Sequence, residues 1–288
     1  MKLSIITVSL NAGDKLLETV KSAAAQTFSD YELIVQDGGS KDGSLKTLSD
    51  WLVENADMAG RVRIFTEKDN GIYDGMNRGA AKAQGEFLYF LNCGDVFHGP
   101  EALKAFADGM KNAGVRWGNT GADQEAVGVH QEDAAAIFYG NVFDTLRGSV
   151  VQSNPKMDTF ACYRNVPCHQ ACVYHRSLFQ ERGYLSCYRV RADYEHFLWC
   201  FLENKVPAYY VPVTLADYEG GGFSETALNR KRSAAEHKEI TAQYMTGRQR
   251  FCYRAALVLS LQPLRTALAE NEATGRFYQK IKGTLYRG

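Results

Sequence analysis

Between residues 87 and 95 the chain reads Phe-Leu-Tyr-Phe-Leu-Asn-Cys-Gly-Asp, and this stretch constrains the fold more than any other. Phe87 to Leu91 is a near-continuous apolar run, the pattern of a strand buried on both faces. Asn92, Cys93 and Gly94 break the run, and a lone carboxylate, Asp95, follows. In open α/β sheets, ligands bind beyond the carboxyl ends of the strands. The stretch therefore predicts a central buried strand and puts Asp95 where a metal ion or a polar ligand is to be sought.

The pattern recurs through the first hundred residues. Apolar, β-rich runs predict strands over Lys2 to Leu10, Tyr31 to Val35, Val62 to Phe65 and Phe87 to Leu91. Between them, apolar residues at helical spacing predict helices over Lys15 to Gln26, Asp42 to Val53 and Tyr73 to Ala83, with another from Pro100 to Met110. This β-α-β-α-β-α-β order predicts an α/β fold: a mostly parallel sheet with right-handed crossovers and helices on its faces. The second half is less regular. Strands are expected over Ile137 to Val142, Ala171 to His175 and Ala208 to Val213, with helices over Arg176 to Glu181 and Asp193 to Asn204. Val150 to Arg164 reads as an irregular loop and Gly220 to Gly222 as a flexible one. After Thr226 the pattern is that of two or three basic helices.

The chain has 288 residues and equal numbers of acidic and basic side chains, yet charge is unevenly spread. Residues 226–288 hold 12 of the 33 Lys and Arg but 4 of the 33 Asp and Glu. A basic extension on an acidic body suggests a polyanionic partner, here an anionic membrane surface rather than nucleic acid. The blander alternative is a solvated helical face that offsets the body's charge. Arg248, Arg250, Arg254, Arg265, Arg276, Lys280, Lys282 and Arg287 interleave with Tyr, Phe and Leu, as suits an interfacial helix. The N-terminus does not read as a signal peptide, and no apolar run approaches the roughly 20 residues of a membrane span. Seven scattered cysteines argue for a reducing compartment. Cys168 and Cys172 have no second pair to complete a zinc site. Cytoplasmic residence, peripheral on the inner membrane face, is the expectation.

Three acids fall after strands or loops on one expected edge of the sheet: Asp37, Asp95 and Asp193. A nucleotide site uses such groups well. One carboxylate accepts from a base N–H, one holds a divalent cation bridging phosphates, and one acts as general base. The residues around them match a known pattern. Ser4-Ile5-Ile6-Thr7-Val8-Ser9-Leu10-Asn11 resembles the first strand of glycosyltransferase family 2, the inverting enzymes of GT-A fold. Val35 to Ser44 resembles that family's acid-Gly-Ser-Thr-Asp-Gly-Thr loop, and Asp69 to Gly79 its Gly-Ile-Tyr-Asp-Ala-Met-Asn-Lys-Gly segment. Leu91 to Asp95 stands where the family keeps its Asp-x-Asp motif, and Arg191 to Glu195 where it keeps the acidic pair bearing the base. The resemblance covers about Lys2 to Ser224, and its nearest likeness is to bacterial enzymes of capsule, exopolysaccharide and O-antigen synthesis.

The resemblance implies a GT-A domain over residues 1–225 and a basic helical extension over 226–288. It implies transfer of a sugar from a nucleotide diphospho-sugar, UDP-linked ahead of GDP-linked, to a hydroxyl of a glycan or lipid-linked acceptor, with inversion. Thr7 and Asp37 fall to the nucleotide base, and Asp69 to the base or ribose. Asp74 and Asn77, three apart on one helical face, fall either to the donor or to the helix's own first turn. Asp95 is the metal ligand for Mn²⁺ or Mg²⁺, with Asn92 beside it, and Asp193 is the catalytic base. His169 is placed to meet sugar or acceptor, and Ser224 to donate to the phosphates from a closing loop. The pattern departs from the family in two places. Asn92 and Gly94 stand where many members carry acids, and Ala192 precedes the base where an acid is usual, which leaves Glu195 next in line after Asp193. Two other readings stay open: a non-catalytic nucleotide-sugar-binding subunit, and a sugar-phosphate nucleotidyltransferase, although Asn11-Ala12-Gly13-Asp14 lacks the Gly-rich basic loop of the latter.

Overall fold

A computed structural model describes residues 3–113, 135–219 and 226–259. The chain forms two compact units, Met1–Lys238 and Glu239–Gly288. In chain order the elements are β1 (Leu3–Ser9), α1 (Asp14–Ala24), β2 (Tyr31–Asp37), α2 (Ser44–Glu54), α3 (Ala56–Ala59), β3 (Val62–Thr66), α4 (Ile72–Lys82), β4 (Phe87–Phe90) and β5 (Val96–Phe97). They continue with α5 (Ala102–Asn112), β6 (Ile137–Asp144), β7 (Ser149–Val151), α6 (Thr159–Arg164), a 3₁₀ turn (His169–Ala171) and β8 (Cys172–His175). The last are α7 (Ser177–Glu181), α8 (Ala192–Leu198), a π-helical turn (Trp199–Glu203), β9 (Ala208–Tyr218), α9 (Ala227–Tyr244) and α10 (Gly247–Leu259).

In the first unit the strands form one sheet in the order β3-β2-β1-β4-β8-β6-β9-β5, with β7 paired to β6. The run β3-β2-β1-β4 is parallel, as the alternating pattern predicts. β8 then pairs antiparallel with β4, and β6 antiparallel with β8. Every residue of β1, β2 and β4 is buried. Leu3 and Ile5 join Leu16, Val20 and Ala23 of α1 and Leu48 of α2 in the main core, while α4 packs on β1 and β2. Burying one large apolar side chain is worth roughly 1.5–3 kcal/mol. Phe87 to Leu91, each at most 1% exposed, thus make β4 the sheet's central anchor.

Several elements depart from the sequence reading. The stretch read as an irregular loop over Val150 to Arg164 ends in α6, whose cap was legible: the Asp158 carboxylate accepts from the Ala161 N–H at 2.7 Å. The helix expected over Asp193 to Asn204 is α8 followed by the π-helical turn. β9 runs five residues past Val213, to Tyr218. Pro212, which breaks the strand pattern, sits in a bulge, because the β6–β9 register shifts between Tyr139 and Asn141. β5 is a two-residue strand whose one strand partner among the described residues is distant β9, a signal no local pattern carries.

None of the seven cysteines is in a disulfide. Among the described residues no helix is long and apolar enough to cross a membrane. In the second unit, α10 exposes Phe251, Val258 and Leu259 together with Arg248 and Arg254. Gly220 to Gly222, Ser224, Arg265, Arg276, Lys280, Lys282 and Arg287 lie outside the described residues.

Candidate active site

The parallel strands deliver two groups of polar side chains to their carboxyl ends. The first gathers around β2. Asp37 closes that strand in register with Ser9 and Thr66 and is fully buried. Its Oδ2 accepts from the N–H groups of Gly39 (2.8 Å) and Ser40 (2.9 Å), and its Oδ1 from the Ser40 hydroxyl. The carboxylate therefore shapes the turn it begins, the behaviour expected of Asp beside glycines. Asp69, after β3, accepts from the Gly71 N–H at 3.0 Å and lies beside Gly38 of the Asp37 turn. Thr7 is buried two residues short of the end of β1, and its hydroxyl has no hydrogen-bond partner among the described residues. Buried hydroxyls are nearly always partnered, so this one has hydrogen-bonding capacity left to offer.

Asp74 and Asn77 have tasks inside the protein. Asp74 accepts from the Asn70 N–H (2.9 Å) and the Arg78 Nε (3.2 Å), tying the start of α4 to its own next turn. Asn77 donates to the Tyr184 carbonyl and accepts from the Tyr184 N–H, both at 2.8 Å. Both ends of its amide are used in fixing the 184 segment on α4.

The second group lies beyond β4. Asn92, His169, Asp193 and Tyr73 form one polar chain and Gln170 and Asp95 a second, the two joined where His169 and Gln170 are neighbours in the 3₁₀ turn. Gln170 Nε2 donates to Asp95 Oδ2 at 3.1 Å. Asn92 Nδ2 stands 2.8 Å from His169 Nε2. An amide nitrogen only donates, so Nε2 accepts and the ring proton sits on Nδ1, which faces Asp193 Oδ2 at 3.5 Å. Tyr73 and the Tyr194 N–H each donate to Asp193 Oδ1 at 2.9 Å. The 3₁₀ turn thus links the two carboxylates, Gln170 to Asp95 and His169 to Asp193.

Their environments push these acids apart. Burial lifts the Asp95 carboxyl to about 6, against the pull of nearby His169 and the Gln170 hydrogen bond. Burial also raises Asp193, but the hydrogen bond from His169, then those from Tyr73 and the Tyr194 N–H, outweigh it and hold it below its usual range. At neutral pH Asp193 is a carboxylate with 23% of its side chain exposed, able to accept a proton. Glu195, next in line, cannot compete: it is fully buried, and Arg182 Nη2 donates to both its oxygens at 2.9 Å. The Arg182 guanidinium in turn stacks on Trp199 at 4.4 Å.

The thinned acidic motif has a backbone cause. Gly94 has φ +99°, a conformation that favours glycine and strains a side chain such as Asp. Asn92 offers an oxygen instead: its Oδ1 is buried and has no hydrogen-bond partner among the described residues. Among the described residues no group of three or more His, Cys, Asp and Glu is arranged to hold a metal ion. Tyr73 and Arg182 carry much of this geometry, yet neither has a sequence signal of its own. Tyr73 was visible only as part of the Gly-Ile-Tyr-Asp segment.

This sheet, with its polar groups at the carboxyl ends of β1, β2 and β4, is the GT-A fold of nucleotide-sugar glycosyltransferases. The chain belongs to glycosyl transferase family 2, whose profile matches residues 4–182. It is 31% identical over 230 residues to the PGL/p-HBAD biosynthesis glycosyltransferase of Mycobacterium bovis (strain BCG / Pasteur 1173P2), covering 79% of this chain and 81% of that protein. Among solved structures it is similar in fold to the mannosyltransferase PcManGT from Pyrobaculum calidifontis in complex with GDP-Man and Mn²⁺ (TM-score 0.62, 11% identity, 96% of this chain and 83% of that one). It is likewise similar to S. aureus TarS 1-349 in complex with UDP-GlcNAc (TM-score 0.58, 15% identity, 98% of this chain and 70% of that one). In another TarS 1-349 structure the chain spans 60% of that protein's length.

Proposed function

We propose that the protein transfers a sugar from a nucleotide diphospho-sugar, UDP-linked ahead of GDP-linked, to an acceptor hydroxyl with inversion at the anomeric carbon. The observation that carries this reading is the pair of carboxyls joined through His169 and Gln170, one held ionised and one raised by burial. Asp193 accepts the proton of the acceptor hydroxyl as its oxygen bonds to the anomeric carbon. The bond from that carbon to the diphosphate breaks, and the nucleoside diphosphate leaves with the electron pair. His169 and Tyr73 keep the Asp193 carboxylate charged and aimed. Thr7, Asp37 and Asp69 form the nucleoside end of the donor site, and Ser224 remains an assignment by family resemblance.

A divalent cation fits the second group as a partial set. Asp95 supplies a buried carboxylate and Asn92 an oxygen unpartnered among the described residues, both hard donors, and the remaining ligands would come from the diphosphate and water. With Asp95 and Asn92 holding it, a divalent cation would supply charge neutralisation at the leaving diphosphate. The acceptor is a glycan or lipid-linked hydroxyl in surface polysaccharide synthesis. The exposed basic and apolar side chains of α10 support peripheral binding to the anionic inner face of the cell membrane, in the cytoplasm.

The sparse acidic motif keeps a second reading in play, a nucleotide-sugar-binding subunit without turnover. Nucleotide release from a panel of UDP- and GDP-sugars, with Mn²⁺ and with EDTA, separates the two. Slow release of UDP that EDTA suppresses supports the enzyme. Donor-induced thermal stabilisation with no release from any donor overturns it.

A further inference from the structure

Asp193 is aimed by a segment that has no secondary structure of its own. Residues 182–191 join α7 to α8 without strand or helix. Their last three backbone N–H groups converge on one carboxylate, Glu236 of α9. Arg189 N donates to Oε1 at 3.0 Å, Val190 N to Oε2 at 3.0 Å and Arg191 N to Oε2 at 2.9 Å. Glu236 is 7% exposed. Almost one turn earlier on α9, Ser233 accepts from Arg191 Nε through its carbonyl (3.0 Å) and its hydroxyl (2.8 Å). Bonds from backbone N–H groups to a carboxylate are charge-assisted and stronger than neutral ones. The clamped segment leads directly into the base. Tyr73 Oη, which donates to Asp193 Oδ1, also stands 2.8 Å from the Val190 carbonyl oxygen. A shift of Val190 therefore disturbs the same hydroxyl that orients Asp193.

We propose that Glu236 is a positioning residue for the transfer reaction, fixing the Asp193 carboxylate against Tyr73 and His169 through the backbone of residues 189–191. The inference rests on Asp193 being the base. It assigns to α9, beyond the family match over residues 4–182, a part in the chemistry.

The test uses the full chain with Glu236→Gln and Glu236→Ala. Gln keeps one acceptor oxygen for the three N–H groups, and Ala keeps none. The expected order of kcat is wild type, then Gln, then Ala. The Ala variant should lose about 10- to 100-fold, the scale of a misplacement near 1 Å. Donor KM should stay within about twofold, because the nucleoside end of the site is elsewhere. Unchanged kcat in both variants overturns the proposal, as does a loss of kcat and of donor affinity together in the Gln variant. If the Ala variant does not fold, the Gln variant decides: a lowered kcat at unchanged donor KM supports the clamp. Asp193→Asn separates the two layers. If it abolishes transfer while the Glu236 variants keep kcat, the clamp alone falls; if it transfers normally, the base reading falls first.

Discussion

Asp95 is where stability and function oppose each other most plainly. Its folded carboxyl titrates near 6, above an unfolded value of about 4, so ionising it opposes folding. Its stabilising contribution is therefore complete below pH about 4 and is lost as pH rises through about 6. Asp95→Asn removes that charge and keeps an oxygen for the Gln170 amide. Without ligand at pH 7.5, the variant is expected to be more stable than wild type by about 1–3 kcal/mol, the advantage vanishing near pH 4. Thermal melts across pH check this, and a variant less stable at pH 7.5 contradicts it. The same substitution should cut transfer, the usual trade at a functional site. Donor affinity in the presence of Mn²⁺ should weaken below pH about 6 in the wild type, as Asp95 takes up a proton.

Among the elements, the β6–β9 pair is the most exacting. Gly140 lies opposite the bulge at Pro212, and a Cβ there would fall 2.4 Å from the Val213 carbonyl oxygen and 3.1 Å from that of Val211. Backbone atoms cannot swing away as a side chain can, so Gly140→Ala should cost about 1–3 kcal/mol or more, read as a lowered denaturation midpoint. A neutral result would mean that the bulge is adjustable. The same element shows what a sequence can and cannot display. β1 to β4 and α1, α2 and α4 were legible because each carries its own period and ends at glycine or polar residues. Pro212 hid the second half of β9 because a bulge is a property of two strands, and the one strand partner of β5 among the described residues is distant β9. The site divides along the same line. Asp37, Asp95 and Asp193 announce themselves by following strands or by their motifs. The neighbours that hydrogen-bond these acids, Gln170 to Asp95 and Tyr73 to Asp193, arrive from 75 and 120 residues away and leave no local mark.

At the scale of the whole molecule, charge is separated along the chain, with an excess of Lys and Arg after residue 225 balanced by acids before it. α10 carries part of that excess beside exposed Phe251, Val258 and Leu259. If the extension binds an anionic surface, the full chain should sediment with phosphatidylserine vesicles at low salt. The bound fraction should fall steeply as ionic strength rises toward the range where the Debye length is about 8 Å. Equal binding to neutral vesicles, or none to anionic ones, contradicts a basic membrane-facing extension. The central claim concerns the base. Tyr73 of α4 and His169 of the 3₁₀ turn both meet Asp193, and the proposed role of its carboxylate as base is the step on which transfer would depend. Asp193→Asn preserves size and can still accept from Tyr73, but it cannot take the acceptor's proton. The decisive measurement is single-turnover transfer by Asp193→Asn alongside its donor affinity. A loss of about 10²–10⁴-fold in rate with donor binding intact is the expected result, and near-wild-type transfer would contradict the account.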